Sequence, residues 1–443
     1  MIRYLVSATL ALLIGVSTSQ ALAATQPYVR QAGTCDGFPR LSIGMAPGFC
    51  AGLVLSPAGD DFHHRQIKTP RMLSQLPDGR RWVLTDLGSW TAGLGKVWLL
   101  EVSSPQQVHV KELLTGLTMP HTVAFGPDGH IYVAEMNRIF RLDIDGDAAH
   151  ATTVVDGLPG NRLHPGRHPL SHFEFDGNGD LLVNVGADTD QCTNAAGATP
   201  GPTCPESEGA DARGVIRRYA YLGQGRWDSA GKVVARGLRN SLVLVRHSSG
   251  TILQAENSYD FAPNDERPYD EINVIRQGAH YGWPYCYDMG EATPAWARAG
   301  AMDCHSAAHE KPVLLLPPHA APLGALYYSG AMFPALKGKL LMSWHGYRPS
   351  GSRVVAFDVD TSGVPVSTPH AHYAEYVEGG PVKLVDYGSG PGAEPLVLTP
   401  GWDLKAGSHP AGAPVGLAVA QDGALWVSDD RNASILRIAV DRP

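Results

Sequence analysis

The chain alternates short apolar runs with polar turns, and one pattern of this kind is written six times. The stretches are PRMLSQLPDGRRWVLTD, PHTVAFGPDGHIYVAEM, HPLSHFEFDGNGDLLVNVG, LRNSLVLVRHSSGTILQAEN, APLGALYYSGAMFPALKGKLLMSWHG and APVGLAVAQDGALWVSDD. Each reads as an apolar strand, a turn with glycine, and a second strand that ends in polar residues. The turn glycines are Gly79, Gly129, Gly179, Gly250, Gly338 and Gly423; glycine tolerates the positive φ that such hairpin turns require. Six strand–turn–strand units predict an all-β protein, a six-bladed β-propeller, with long insertions in the later blades. A sandwich, or two separate domains, is the alternative.

This architecture makes a prediction about chemistry. Each glycine turn marks one end of its hairpin, so residues before the first strand and after the second meet at the other end. Arg71, His121, His168, Arg239 and Pro322 precede first strands; Asp86, Glu135, Asn257, His345 and Asp430 follow second strands. They are expected to gather around one mouth of the central channel, and imidazoles, guanidiniums and carboxylates converging on a concave surface mark a functional site.

The composition agrees with short strands and many turns: 443 residues, 44% hydrophobic, with 50 glycines and 34 prolines. The formal charge is −8 and no basic run occurs, which argues against a nucleic-acid partner. Residues 1–23 carry one arginine, an apolar stretch and Ala21-Leu22-Ala23, the layout of a secretory signal. The apolar run is too short to span a bilayer comfortably, so a membrane anchor is the weaker reading and no stable insertion is expected after signal removal. Residues 24–443 then form a single propeller domain, periplasmic or secreted. An oxidising compartment and short loop closure favour Cys35–Cys50, Cys192–Cys204 and Cys286–Cys304 among the 15 possible pairings. No C-x-x-C or C-x-x-C-H occurs, which argues against a zinc site and covalent haem.

Several motifs carry a resemblance. GLRN at 237–240, the block ENSYDFAPNDERPYDEINVIRQGAHYGWPYC at 256–286, and H-x4-F-E-F-x3-G at 168–179 resemble the soluble pyrroloquinoline quinone (PQQ) dependent sugar dehydrogenases, the glucose/sorbosone dehydrogenase-like propellers. GFCAGL at 48–53, MSWHGYRPSGSRV at 342–354 and the last repeat are similar too. The resemblance implies that His168 is the catalytic base, with Asp188 as its orienting carboxylate one residue out of the family register. It implies that Arg239 and Asn240 are a cofactor pair, Arg239 also stabilising charge on the reduced quinone. Asn257 and His345 would complete the cofactor pocket. Either Arg348 or Arg353 would add a further cation, because HGYRPSGSR departs from the usual family string. Calcium would be held by backbone carbonyls at Ser258 and Tyr259, where Gly and Pro are commoner. Glu271 and Tyr281 match a second, structural calcium site.

The chemistry suits these residue types. A neutral imidazole can take a hydroxyl proton near pH 7. Guanidinium matches a carboxylate or a developing oxyanion, and a hard divalent cation suits quinone and carboxylate oxygens. The resulting expectation is an exported PQQ- and calcium-dependent dehydrogenase for an aldose or related sugar or aldehyde, passing electrons to an external acceptor. A calcium-dependent lactonase or esterase and a non-enzymatic glycan- or peptide-binding propeller are the other readings.

Overall fold

The computed structural model describes residues 30–55, 66–146, 148–159, 163, 168–260, 267–346, 348–375, 383–402 and 412–442. The expected leader, 1–23, lies outside them. The six hairpins form as the pattern predicts, and all six turn glycines have positive φ, between 72° and 96°.

Each hairpin supplies the two inner strands of a blade. Blade 1 is Pro70–Gln75, Arg81–Asp86, Gly95–Ser104 and Gln107–Leu117; blade 2 is Val123–Phe125, Ile131–Glu135, Arg138–Asp145 and Ala148–Val155. Blade 3 begins with Phe173–Phe175 and Leu181–Val185, blade 4 with Ser241–Arg246 and Ile252–Glu256, blade 5 with Pro322–Tyr327 and Leu340–Trp344, and blade 6 with Pro414–Val419 and Leu425–Asp429. The second strand is wholly buried in blades 2 to 6, covered on both faces by neighbouring blades. That burial explains why these strands read as near-continuous apolar runs.

The ring closes through the two ends of the chain. Ser434–Val440 is the third strand of blade 6, and Phe49–Leu55 pairs antiparallel to it. Phe38–Leu41 and Arg30–Cys35 extend the same sheet, so the seam leaves no open edge between the first and last blades. Cys35–Cys50 ties these N-terminal strands together.

Two devices shape the channel. Hydroxyls stitch neighbouring inner strands: Thr85 Oγ1 donates to the His121 carbonyl (2.6 Å), Thr122 Oγ1 to Ser171 (3.2 Å), Ser343 Oγ to Val415 (2.6 Å) and Ser428 Oγ to Arg71. Beneath this level, Met72, Val123, Leu170, Leu242, Leu323 and Val415 meet in one buried cluster, one residue from each blade. Three of them, Leu170, Leu242 and Leu323, line the cup at the mouth and give it an apolar floor.

The insertions in blades 3 and 4 fold against each other. Cys192–Cys204 and Cys286–Cys304 pack with Tyr259, Trp283, Tyr285 and Trp296. Trp283 Nε1 donates to the Asp190 carbonyl (2.8 Å) and Trp296 Nε1 to that of Gln191 (2.9 Å). All three disulfides are those that loop closure favours.

Candidate active site

A cavity of about 530 Å³ opens where the strand ends converge. Its walls carry Arg71, Asn240, Asn257, His345, Asp430 and Arg431; Leu170, Leu242 and Leu323 contribute from the apolar floor. Trp90 lines one side from the loop between the second and third strands of blade 1, and its side chain is 57% exposed.

The polar wall is a connected network. Arg71 Nη1 pairs with Asp430 Oδ2 (2.5 Å) and its Nε donates to His121 Nδ1 (3.1 Å). His345 Nε2 meets the other oxygen of Asp430 (2.9 Å). Burial opposes ionisation of Asp430, but His345 and Arg71 hold its carboxyl below the ordinary range. His121 is fully buried; burial first, then the charge of Arg71, pushes its pKa well below the usual imidazole value. It is therefore a neutral acceptor for Arg71 at neutral pH and does not present a charge to the cup.

His168 stands at the edge of this cup, two residues before Leu170, and does not itself line the cavity. Its Nδ1 lies 2.7 Å from the Ala187 carbonyl, so Nδ1 carries the proton and Nε2 the lone pair. Ala187 in turn donates its amide to the Arg239 carbonyl (2.9 Å). One residue thus bridges His168 and Arg239, which stand together rather than on opposite rims. Gly186 is required for that approach: a Cβ there would lie 2.3 Å from the His168 carbonyl oxygen.

Arg239 is only 4% exposed and is enclosed by oxygen. Its Nη2 pairs with Asp190 (2.5 Å) and Asp260 (3.2 Å), while Nη1 donates to the carbonyls of Asn257 (2.9 Å) and Ser258. Its own amide donates to Glu256 Oε1 (2.6 Å).

The comparisons with known proteins fit this geometry. A family model described as TrAA12-like matches residues 97–378, well over half of the chain. The chain belongs to the TrAA12-like family. A pyrroloquinoline quinone-dependent pyranose dehydrogenase of Coprinopsis cinerea is 26% identical over 300 residues, covering 55% of this chain and 37% of that protein. The chain spans about a third to a half of the length of the curated relatives it matches. Two solved structures share the fold. A Trichoderma reesei protein of Carbohydrate-Active Enzymes Family AA12 has a TM-score of 0.65 at 18% identity, covering 93% of this chain and all of that one. The holo PQQ domain of the Coprinopsis cinerea pyranose dehydrogenase has a TM-score of 0.61 at 20% identity, covering 92% of this chain and 99% of that domain.

Within this TrAA12-like chain several expected placements change. Asp188 does not orient His168: it pairs with Arg213 (2.8 Å), and the Ala187 carbonyl takes the orienting position. Arg353 is buried in blade 5, donating to the Ser352 carbonyl and lining a separate cavity with Trp344 and His372. It begins the third strand of the blade, paired with Trp344, and is not among the residues lining the cup. Arg348 lies in the turn after His345, where its carbonyl accepts the Gly351 amide (2.8 Å), and it too is outside the cavity lining. Asp86 and Glu135 leave the mouth because they end strands and staple loops instead. Asp86 accepts from Thr69 N (2.8 Å) and Glu135 from Thr118 N (2.8 Å), as Glu256 does from Arg239 and Asp429 from Ala413. Residues one position further on, Asn257 and Asp430, reach the cup.

The donor chemistry at the first expected place fits a hard cation. The Ser258 carbonyl belongs to an all-oxygen cage with the Asn257 carbonyl, Asp190 and Asp260, and Arg239 supplies its positive charge in this structure. The Tyr259 phenol donates to the Cys286 carbonyl (3.1 Å); the ligand expected from this residue is its backbone carbonyl. At the second expected place, the Tyr281 hydroxyl donates to Val274 O (2.6 Å), and Glu271 lies near the acids Glu256 and Asp288.

These buried acids make folding depend on pH. Burial raises Glu256 to about 8 and Asp270 and Asp288 to about 7, and pushes Glu271 well above its ordinary value. The folded chain thus keeps protons that the unfolded chain releases near 4, so stability falls as pH rises through this window. In calcium-free buffer the melting temperature should drop between about pH 5 and pH 8, and Glu271→Gln should lessen the drop. A melting temperature that climbs over the same range would contradict the placement of these acids.

Trp90 and Arg431 are functional candidates that the repeat pattern does not single out. Arg431 directly follows Asp430 in SDDRN, a legible signal. Trp90 sits in LGSWTAGLG, outside the repeated hairpins, and no pattern marks it.

Proposed function

We propose that this chain is a PQQ- and calcium-dependent dehydrogenase that oxidises an aldose or related sugar and passes the electrons to an external acceptor. The observation that carries the reading is the cup: cationic and amide side chains stand around an apolar floor, a fit for a polyanion with an aromatic ring. Arg71, Arg431, Asn240, Asn257 and His345 would hold the carboxylates and quinone oxygens, and the leucine floor would support the ring face. Bound PQQ, with calcium polarising it, would accept the hydride that leaves the sugar carbon.

The residues of the chain do the rest. His168, with Nδ1 held by Ala187, presents Nε2 to take the hydroxyl proton of the sugar. Asp430 keeps His345 oriented and balances Arg71, so the wall stays positive without repelling itself. Trp90 offers an exposed aromatic face against which the C–H face of a pyranose can stack. Arg239 fixes the Asn257 and Ser258 carbonyls, part of the oxygen cage that would hold calcium. Three disulfides support export to an oxidising compartment, and no helix among the described residues is long and apolar enough to cross a membrane.

The test is a dye-reduction assay on the purified chain with PQQ, calcium and a panel of aldoses. Reduction that needs both additions is expected. Lactone or ester cleavage without PQQ, and no dye reduction, would move the protein to the hydrolases.

A further inference from the structure

We propose that His370, His372 and Asp386 form a surface site for a borderline divalent transition ion, with zinc(II) as the probe occupant, separate from the cup. The three residues lie on a hairpin, Thr368–Glu375 and Lys383–Gly392, inserted between the third and fourth strands of blade 5. The ring closes without it, so the hairpin is a structural addition.

Strand alternation sorts its side chains. Ala371 and Tyr373 are buried on the inner face, which puts His370 and His372 together on the outer face. Their rings stand parallel, with centroids 5.8 Å apart and 10° between planes. Asp386 lies directly across from His372 in the ladder. One carboxylate oxygen is 3.4 Å from His372 Nε2 and the other is 4.0 Å from His370 Nδ1.

Those separations are close to what a metal needs. Bonds of about 2.0–2.1 Å in a tetrahedral site set donor atoms roughly 3.4 Å apart. The His372–Asp386 pair already has that spacing; the three donors do not all lie within 4.8 Å of one another, so binding requires the exposed His370 side chain to swing in from its 4.0 Å contact with the other carboxylate oxygen. Asp386 Oδ1 accepts the Gly388 amide (2.8 Å), which anchors the carboxylate. Two imidazoles and one carboxylate suit zinc, copper or nickel rather than calcium or magnesium, and three protein ligands leave a coordination position to water.

Among the described residues, Cys192, Cys204 and Glu206 also lie together, but they hold no such site because the two sulfurs are joined to each other.

The experiment is calorimetric titration of the full, EDTA-treated chain with zinc chloride. One equivalent should bind in the micromolar range and should resist competition by excess calcium. His370→Ala with His372→Ala should abolish that binding, and Asp386→Asn should weaken it by more than about 10-fold. Sugar-dependent dye reduction should stay at its wild-type level in all of them. Each variant's melting temperature confirms folding, and His370→Gln alone serves if the double variant does not fold. Absence of zinc binding, zinc binding that survives in the double variant, or displacement by calcium would each overturn the site.

Discussion

Replacing His168 with alanine should lower turnover by roughly 10²–10⁴ while PQQ is still retained, because general-base catalysis contributes about that much. The imidazole is held in a single tautomer, with Nδ1 bound to the Ala187 carbonyl and Nε2 left as the basic nitrogen. Steady-state dye reduction, with bound PQQ quantified by absorbance, measures both quantities. His345→Ala is the control. His345 lines the cavity and rests on Asp430, so its loss should weaken cofactor retention and raise KM rather than abolish the chemical step. If turnover collapses in His345→Ala with cofactor fully bound, and survives in His168→Ala, the base is His345.

The second large effect belongs to Arg239→Ala. The guanidinium is buried and satisfies Asp190, Asp260 and two backbone carbonyls at once. Deleting one partner of a buried ion pair costs about 3–5 kcal/mol, since the remaining charge keeps its desolvation penalty. The denaturant midpoint should fall accordingly, and PQQ retention on dialysis should fall with it, because the Asn257–Ser258 segment loses its anchor. Arg239→Lys should recover part of both losses: it restores the charge but not the planar fork. A midpoint equal to wild type would show that the oxygens around Arg239 find other partners.

These two residues also show how far the sequence can be read. The six blades are legible because a glycine with positive φ must punctuate each hairpin and because doubly covered strands must be apolar. The convergence of strand ends follows from that geometry alone. What periodicity cannot supply is register at the level of one residue. Glu256 ends its strand and staples a loop amide, whereas Asn257, one step on, lines the cup. Asp86 and Glu135 fall on the stapling side of the same rule. Ala187 reads as an interruption between Gly186 and Asp188, yet its carbonyl holds His168 and its amide reaches Arg239. Arg353 cannot be separated from the mouth by spacing, because its burial in the third strand depends on where that strand begins. Trp90 and the packed pair of disulfide loops lie in insertions, where neither repeat nor period constrains the chain.

The most direct test of the central claim is a crystal structure of the chain grown with PQQ and calcium. PQQ should lie on the floor of Leu170, Leu242 and Leu323, its carboxylates within hydrogen-bond reach of Arg71, Asn240 or Arg431, with His168 Nε2 facing the space above the quinone. PQQ found elsewhere, or a cup that stays empty at saturating PQQ, would contradict it.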